Sequence, residues 1–97
     1  MVNMAEEKKQ AERQEEEIGK ITHYYNKIGV GIIEITKGEL KIGDTIHVKG
    51  HSDDFDQKVE SMQIEHKEVQ EAKQGDVIGL QISQKVREGD AIYKVLE

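Results

Sequence analysis

The stretch Gly75-Asp76-Val77-Ile78-Gly79-Leu80-Gln81-Ile82 opens as a turn and continues as a strand. Glycine tolerates positive φ, and the aspartate after it can accept hydrogen bonds from the backbone donors of a tight turn. Strict alternation then puts Ile78, Leu80 and Ile82 on one face. The same opening recurs at Gly43-Asp44-Thr45-Ile46 and at Gly89-Asp90-Ala91-Ile92. The recurrences lie thirty-two and fourteen residues apart, so this is one turn used three times, not an internal repeat.

Outward from these turns the texture from Ile18 onward is uniform: short runs of β-branched residues separated by glycine and by Asp, Asn or Ser clusters. Such spacing is the signature of a sandwich or barrel. The apolar runs fall at about 18–25, 29–36, 44–49, 57–66, 76–83 and 90–96. Six strands in so short a span leave no room for a crossover helix, so the sheet is expected to be mostly antiparallel. In the fourth run the apolar parity changes between Val59 and the pair Met62, Ile64, which predicts a β-bulge near Ser61. Closure into a barrel would remove the exposed edges of a small sheet. The expected fold is all-β, a six-stranded, mostly antiparallel closed β-barrel spanning residues 18–97.

Residues 1–17 form a separate tail. They are good helix formers with no amphipathic face, carrying six acidic and three basic side chains, and read as a frayed helix or a disordered arm. The whole chain of 97 residues has a formal charge of −6. A surface of that sign repels a phosphate backbone on average, so contact with nucleic acid would have to be local. There are no cysteines, which excludes disulfides and thiolate metal sites and points to a reducing compartment. No run of eighteen apolar residues and no apolar leader segment occurs, so the expectation is a cytoplasmic protein without membrane contact.

Four segments carry a resemblance beyond composition: Gly38-Glu39-Leu40-Lys41-Ile42-Gly43-Asp44-Thr45-Ile46, Val59-Glu60-Ser61-Met62, Ala72-Lys73-Gln74-Gly75-Asp76-Val77-Ile78-Gly79-Leu80 and Val86-Arg87-Glu88-Gly89-Asp90. In order and spacing they resemble the β-barrel second domain of translational GTPases such as elongation factor Tu. A closer likeness, carried by Ile18-Gly19-Lys20-Ile21-Thr22-His23-Tyr24 and Met62-Gln63-Ile64-Glu65-His66, is to the small elongation-factor-like barrel that occurs alone or at the C-terminus of collagenase-like peptidases. The resemblance implies a barrel of the translation-factor type without its GTPase.

No catalytic constellation stands out. The segment Gly38 to Thr45 has the glycine spacing of a phosphate-binding loop, but Asp44 occupies the place of the lysine and would repel phosphate. It also lies between strands, with no helix N-terminus after it, so no nucleotide is expected. His51, Asp53, Asp54 and Asp56 could suggest a cation site. An EF-hand register from Asp54 fails at Lys58 and Val59, however, and a polar loop with Phe55 over the barrel end accounts for the cluster. Neither a metal nor a cofactor is expected. Serines and histidines are present without a nucleophile elbow, and nothing specifies a reaction.

What remains is Thr22-His23-Tyr24-Tyr25-Asn26-Lys27 at the first hairpin. Tyrosines give large contact area at low entropic cost, and strand alternation sends one of Tyr24 and Tyr25 inward and the other outward. Tyr24, Tyr25 and Lys27 are the candidate binding residues. The expected function is a non-catalytic binding module for RNA, a ribosomal surface or a protein. The alternative is an accessory subunit acting in trans with a collagenase-like peptidase.

Overall fold

The computed structural model describes residues 14–96, and the helix-or-disorder expectation for residues 1–13 lies outside them. The described chain is all strand and turn. The strands are β1 (Glu15–Tyr25), β2 (Val30–Ile35), β3 (Glu39–Lys41), β4 (Thr45–Lys49), β5 (Asp54–Lys58), β6 (Met62–Ile64), β7 (Lys67–Val69), β8 (Glu71–Lys73), β9 (Val77–Gln81) and β10 (Ala91–Val95). Neighbouring strands pair antiparallel, as the absence of room for crossover helices requires.

The expected six-stranded closed barrel does not form. The main sheet has eight strands in the order β5-β4-β10-β1-β2-β9-β6-β7 and stays open, and a second sheet pairs β3 with β8. Two features account for this. The fourth apolar run is interrupted, with β5 ending at Lys58 and β6 beginning at Met62, so the expected bulge at Ser61 is a full break. Past that break β6 joins β9 through one register pair, Gln63 with Gly79. Between β5 and the end of β9 a side chain stands in for a ladder: Gln57 Nε2 donates to the Gln81 carbonyl at 2.7 Å, and Gln57 Oε1 accepts from the Ser83 N–H at 2.8 Å.

The bulges fall instead in β1, between Glu17 and Gly19 against β10 and between Ile21 and His23 against β2. They bend this long strand so that Ile18, Ile21 and the half-buried Tyr24 all reach the interior. One core results, in which Ile18, Ile33, Ile46, Met62, Ile78 and Ile92 are fully buried. β1 begins at Glu15, ahead of the expected Ile18, because Glu15, Glu16 and Glu17 pair with Val95, Lys94 and Tyr93.

The three Gly-Asp turns are the same object. Gly43, Gly75 and Gly89 have φ of 97°, 97° and 93°. In each, the aspartate N–H donates to the carbonyl three residues earlier, at 3.0, 2.9 and 3.1 Å. The aspartate carboxylate in turn accepts from that earlier residue's N–H: Lys41 to Asp44 at 2.8 Å, Lys73 to Asp76 at 2.8 Å, Arg87 to Asp90 at 3.0 Å. These are type II turns, whose third position demands positive φ, locked by an aspartate.

Candidate functional site

Strand β2 reads Val-Gly-Ile-Ile-Glu-Ile, apolar on both faces. Ile33 and Ile35 enter the core, which leaves Val30 and Ile32 on the outer face. Register sets Tyr25 beside Val30 and His23 beside Ile32 on one side, with Gly79 beside Ile32 and Val77 beside Glu34 on the other. Gln63 of β6 then lies across from Gly79. The outer faces of β2, β9 and β6 thereby enclose a groove of about 700 Å³. Its apolar lining comes from Tyr25, Ile28, Val30, Ile32, Ile64, Val77 and Ile78, and its polar lining from Gln63, Glu65, His66 and Asp76. Of the four large hydrophobic residues exposed among those described, Tyr25 (49%), Ile28 (62%) and Val77 (51%) line it.

The two tyrosines part as alternation requires. Tyr24 packs against the core, while Tyr25 turns outward with its ring edge-on to His23 at 4.4 Å. His23 Nδ1 lies 3.1 Å from Glu88 Oε2, which ties the strand to the third Gly-Asp turn. Lys27 is exposed at the hairpin tip and lines a shallow depression there with Asn26 and Ile28. It does not line the groove, so the structure brings only Tyr25 of the three candidates into it. Ile28, Ile64, Glu65, His66 and Val77 were not anticipated. The available signal was the two-sided apolarity of β2, because a strand apolar on both faces needs cover on both.

One wall of the groove is strained. β6 and β7 are joined by the two-residue turn Glu65-His66, and both residues have positive φ, 53° and 69°. This is the geometry that asparagine-glycine adopts at least cost. Each side chain held in the left-handed region costs about 1–2 kcal/mol. Replacing the pair by Asn-Gly is expected to raise stability by roughly 1–2 kcal/mol, discounted for the flexibility glycine adds to the unfolded chain. Urea denaturation would reveal this, and an unchanged or lowered midpoint would mean that the turn is not strained.

Two polar clusters lie away from the groove. His47, with a side chain 13% exposed, has Nδ1 2.9 Å from Glu15 Oε2 and Nε2 2.6 Å from Asp54 Oδ1. Burial alone would lower its pKa, but hydrogen bonds to Asp54 and Glu15, with the charges of both, outweigh it and raise the imidazole above its ordinary value. Asp90 is buried at the third turn, and desolvation followed by its hydrogen bond to Asp53 holds its carboxyl up. Asp53 Oδ2 is buried without a donor facing it. Thus Asp53 and Asp54 serve these contacts, and among the described residues no three His, Asp or Glu side chains gather as a metal site.

Both raised values act on stability in one direction. His47 stabilises the fold fully below its unfolded pKa of about 6.5 and loses that contribution as pH rises through its folded value. Asp90 contributes fully below about 3.9 and likewise loses its contribution as pH rises through its raised value. Through His47 the urea midpoint is therefore expected to fall between pH 5.5 and pH 8, and His47→Asn should flatten that slope. A midpoint that rises over this range would contradict the His47 assignment.

No protein-family model matches the chain. An uncharacterised protease of Methanocaldococcus jannaschii is 43% identical over 82 residues, which are 84% of this chain and 20% of that protein. A collagenase of Porphyromonas gingivalis is 37% identical over 83 residues, 84% of this chain and 23% of that protein. This chain is similar to one segment of each of these proteins. It spans about a fifth of the length of these curated relatives. In fold it is similar to the C-terminal domain of a Geobacillus thermoleovorans protein assigned to the U32 peptidases, with a TM-score of 0.77 at 17% identity, covering 84% of this chain and 93% of that one. Of the two resemblances seen in the sequence, these relatives support the peptidase-associated one. The translation-factor barrel gains no such support, in keeping with the open main sheet.

Proposed function

We propose that this chain is a non-catalytic accessory module for a collagenase-like peptidase, acting in trans where the relatives carry the corresponding segment within a longer chain. The observation that carries this reading is the match of 84% of the chain to about a fifth of a protease, at 43% identity. The chemistry agrees with it: the groove offers contact area, and its lining contains no serine or cysteine to act as a nucleophile. The broader reading, a module for RNA or a ribosomal surface, is less well supported, because the chain is acidic at −6 and both carboxylates in the groove repel phosphate.

Co-expression of the full chain with a collagenase-like peptidase from the same source tests the proposal. The two are expected to elute together in size-exclusion chromatography, and adding the chain should change the peptidase's rate of peptide hydrolysis. Hydrolysis by the chain alone would defeat the non-catalytic part. Separate elution with an unaltered rate would defeat the accessory part.

A further inference from the structure

We infer that the β2–β9–β6 groove is a docking site for a protein segment that presents apolar side chains flanked by lysine or arginine. The inference deepens the accessory reading and rests on it only for which protein supplies the segment, not for that segment's chemistry. Apolar surface is concentrated here: three of the four exposed large hydrophobics among the described residues lie in this groove. A patch of this kind on a small domain marks a contact surface.

Gly79 keeps the groove deep. A Cβ at that position would meet Ile32 Cδ1 and Val30 Cγ1 at 3.8 Å and the Gln63 carbonyl at 4.0 Å, so a methyl fits and anything larger fills the cleft. The partner's charge follows from the wall. Glu65 and Asp76 line the groove and no lysine or arginine does, so a cationic side chain is the complement and a phosphate backbone is repelled. A second copy of this chain would set the same acidic walls against one another. Strain agrees with the assignment, because the left-handed Glu65-His66 turn holds its two polar side chains at the rim where an ordinary hairpin would place asparagine and glycine. In the relatives, moreover, the corresponding segment is joined to about four times its own length of further protein, against which such a face could rest.

The test uses the full, isotope-labelled chain and two synthetic peptides, Gly-Lys-Ile-Leu-Val-Lys-Gly and its counterpart with glutamate for lysine, followed by NMR titration. The lysine peptide is expected to shift the amides of Tyr25, Ile28, Ile32, Glu65, Val77 and Gly79, and to bind at least about tenfold more tightly than the glutamate peptide. Gly79→Ala should keep that affinity, whereas Gly79→Leu and Val77→Lys should each lose at least about tenfold. Val77→Lys is an exposed change that serves if Gly79→Leu does not fold. Equal affinity for both peptides, shifts away from the groove, displacement by oligouridylate, or a dimer abolished by Val77→Lys would each overturn the inference. Binding of the lysine peptide without any peptidase complex would sustain the groove and defeat the accessory reading. A peptidase complex unaffected by Val77→Lys, with neither peptide bound, would do the opposite.

Discussion

Gly19→Ala is expected to unfold the domain or cost it about 3 kcal/mol or more, at the upper end of what overpacking inflicts. Gly19 is buried in β1 beside the bulge, and a Cβ there would collide with the Glu34 carbonyl oxygen and come within 3.3 Å of the Ile35 Cα, both backbone atoms of the paired strand. Backbone cannot rotate aside as a side chain can, so relief would require breaking the β1–β2 pairing at the centre of the sheet. Gly43, Gly75 and Gly89 provide the control. A Cβ at any of them meets nothing within 4 Å, so their cost is conformational alone, about 1–2 kcal/mol for alanine at positive φ. Valine adds the stiffness of a branched side chain and should bring each to about 1–3 kcal/mol. Urea denaturation of the four alanine variants should rank Gly19 well apart from the others. If Gly19→Ala melted with the turn variants, the close approach of β1 to β2 would be wrong.

A chain beginning at Ile18 is expected to lose about 2–4 kcal/mol. The estimate counts the backbone hydrogen bonds of the lost β1–β10 pairs at about 0.5–1.5 kcal/mol each. Glu15, Glu16 and Glu17 contribute no apolar surface, yet they pair with Val95, Lys94 and Tyr93, and the Leu96 N–H donates to the Gln14 carbonyl at 2.8 Å. Their removal leaves that end of β10 paired on one side only, and it deprives His47 of one of its two carboxylates. For a domain whose total stability is of the order of 5–15 kcal/mol, the thermal midpoint should drop by roughly 8–30 °C. A shortened chain that melts within a few degrees of the parent would return those residues to the tail.

Glu15 to Glu17 mark the limit of what local sequence encodes in this fold. Three consecutive glutamates have neither alternation nor β-propensity, so Glu15 to Glu17 look like the end of a solvated arm, but ladder bonds are made by main chain and a partner strand can recruit any residue that follows a well-anchored one. The strongest legible features were those with local causes: the Gly-Asp turns, with φ fixed by glycine and the lock supplied by aspartate, and the inward parity of Ile78, Leu80 and Ile82. Strands β3, β7 and β8, with three residues each, are too short to show a period. Whether the sheet closes depends on distant register, here a single β6–β9 pair and one glutamine side chain, and no local pattern encodes it. Tyr25 was legible as an outward aromatic, but the groove it joins assembles from β2, β6 and β9, and only folding brings Ile28, Ile64 and Val77 beside it.

The place of β10 bears on how the chain reaches this fold during synthesis. It is the tenth strand in order yet sits inside the main sheet, between β4 and β1. Until residues 91–95 have left the ribosome, β1 and β4 each present an unpaired strand edge toward a gap, and Ile92, which is fully buried once in place, has no seat to fill. A nascent chain stalled before that point would therefore be a pair of open half-sheets, the kind of species that associates through its edges. Completion of the sheet is then a late, long-range event that waits on the arrival of one five-residue segment, and such non-local pairing is slow.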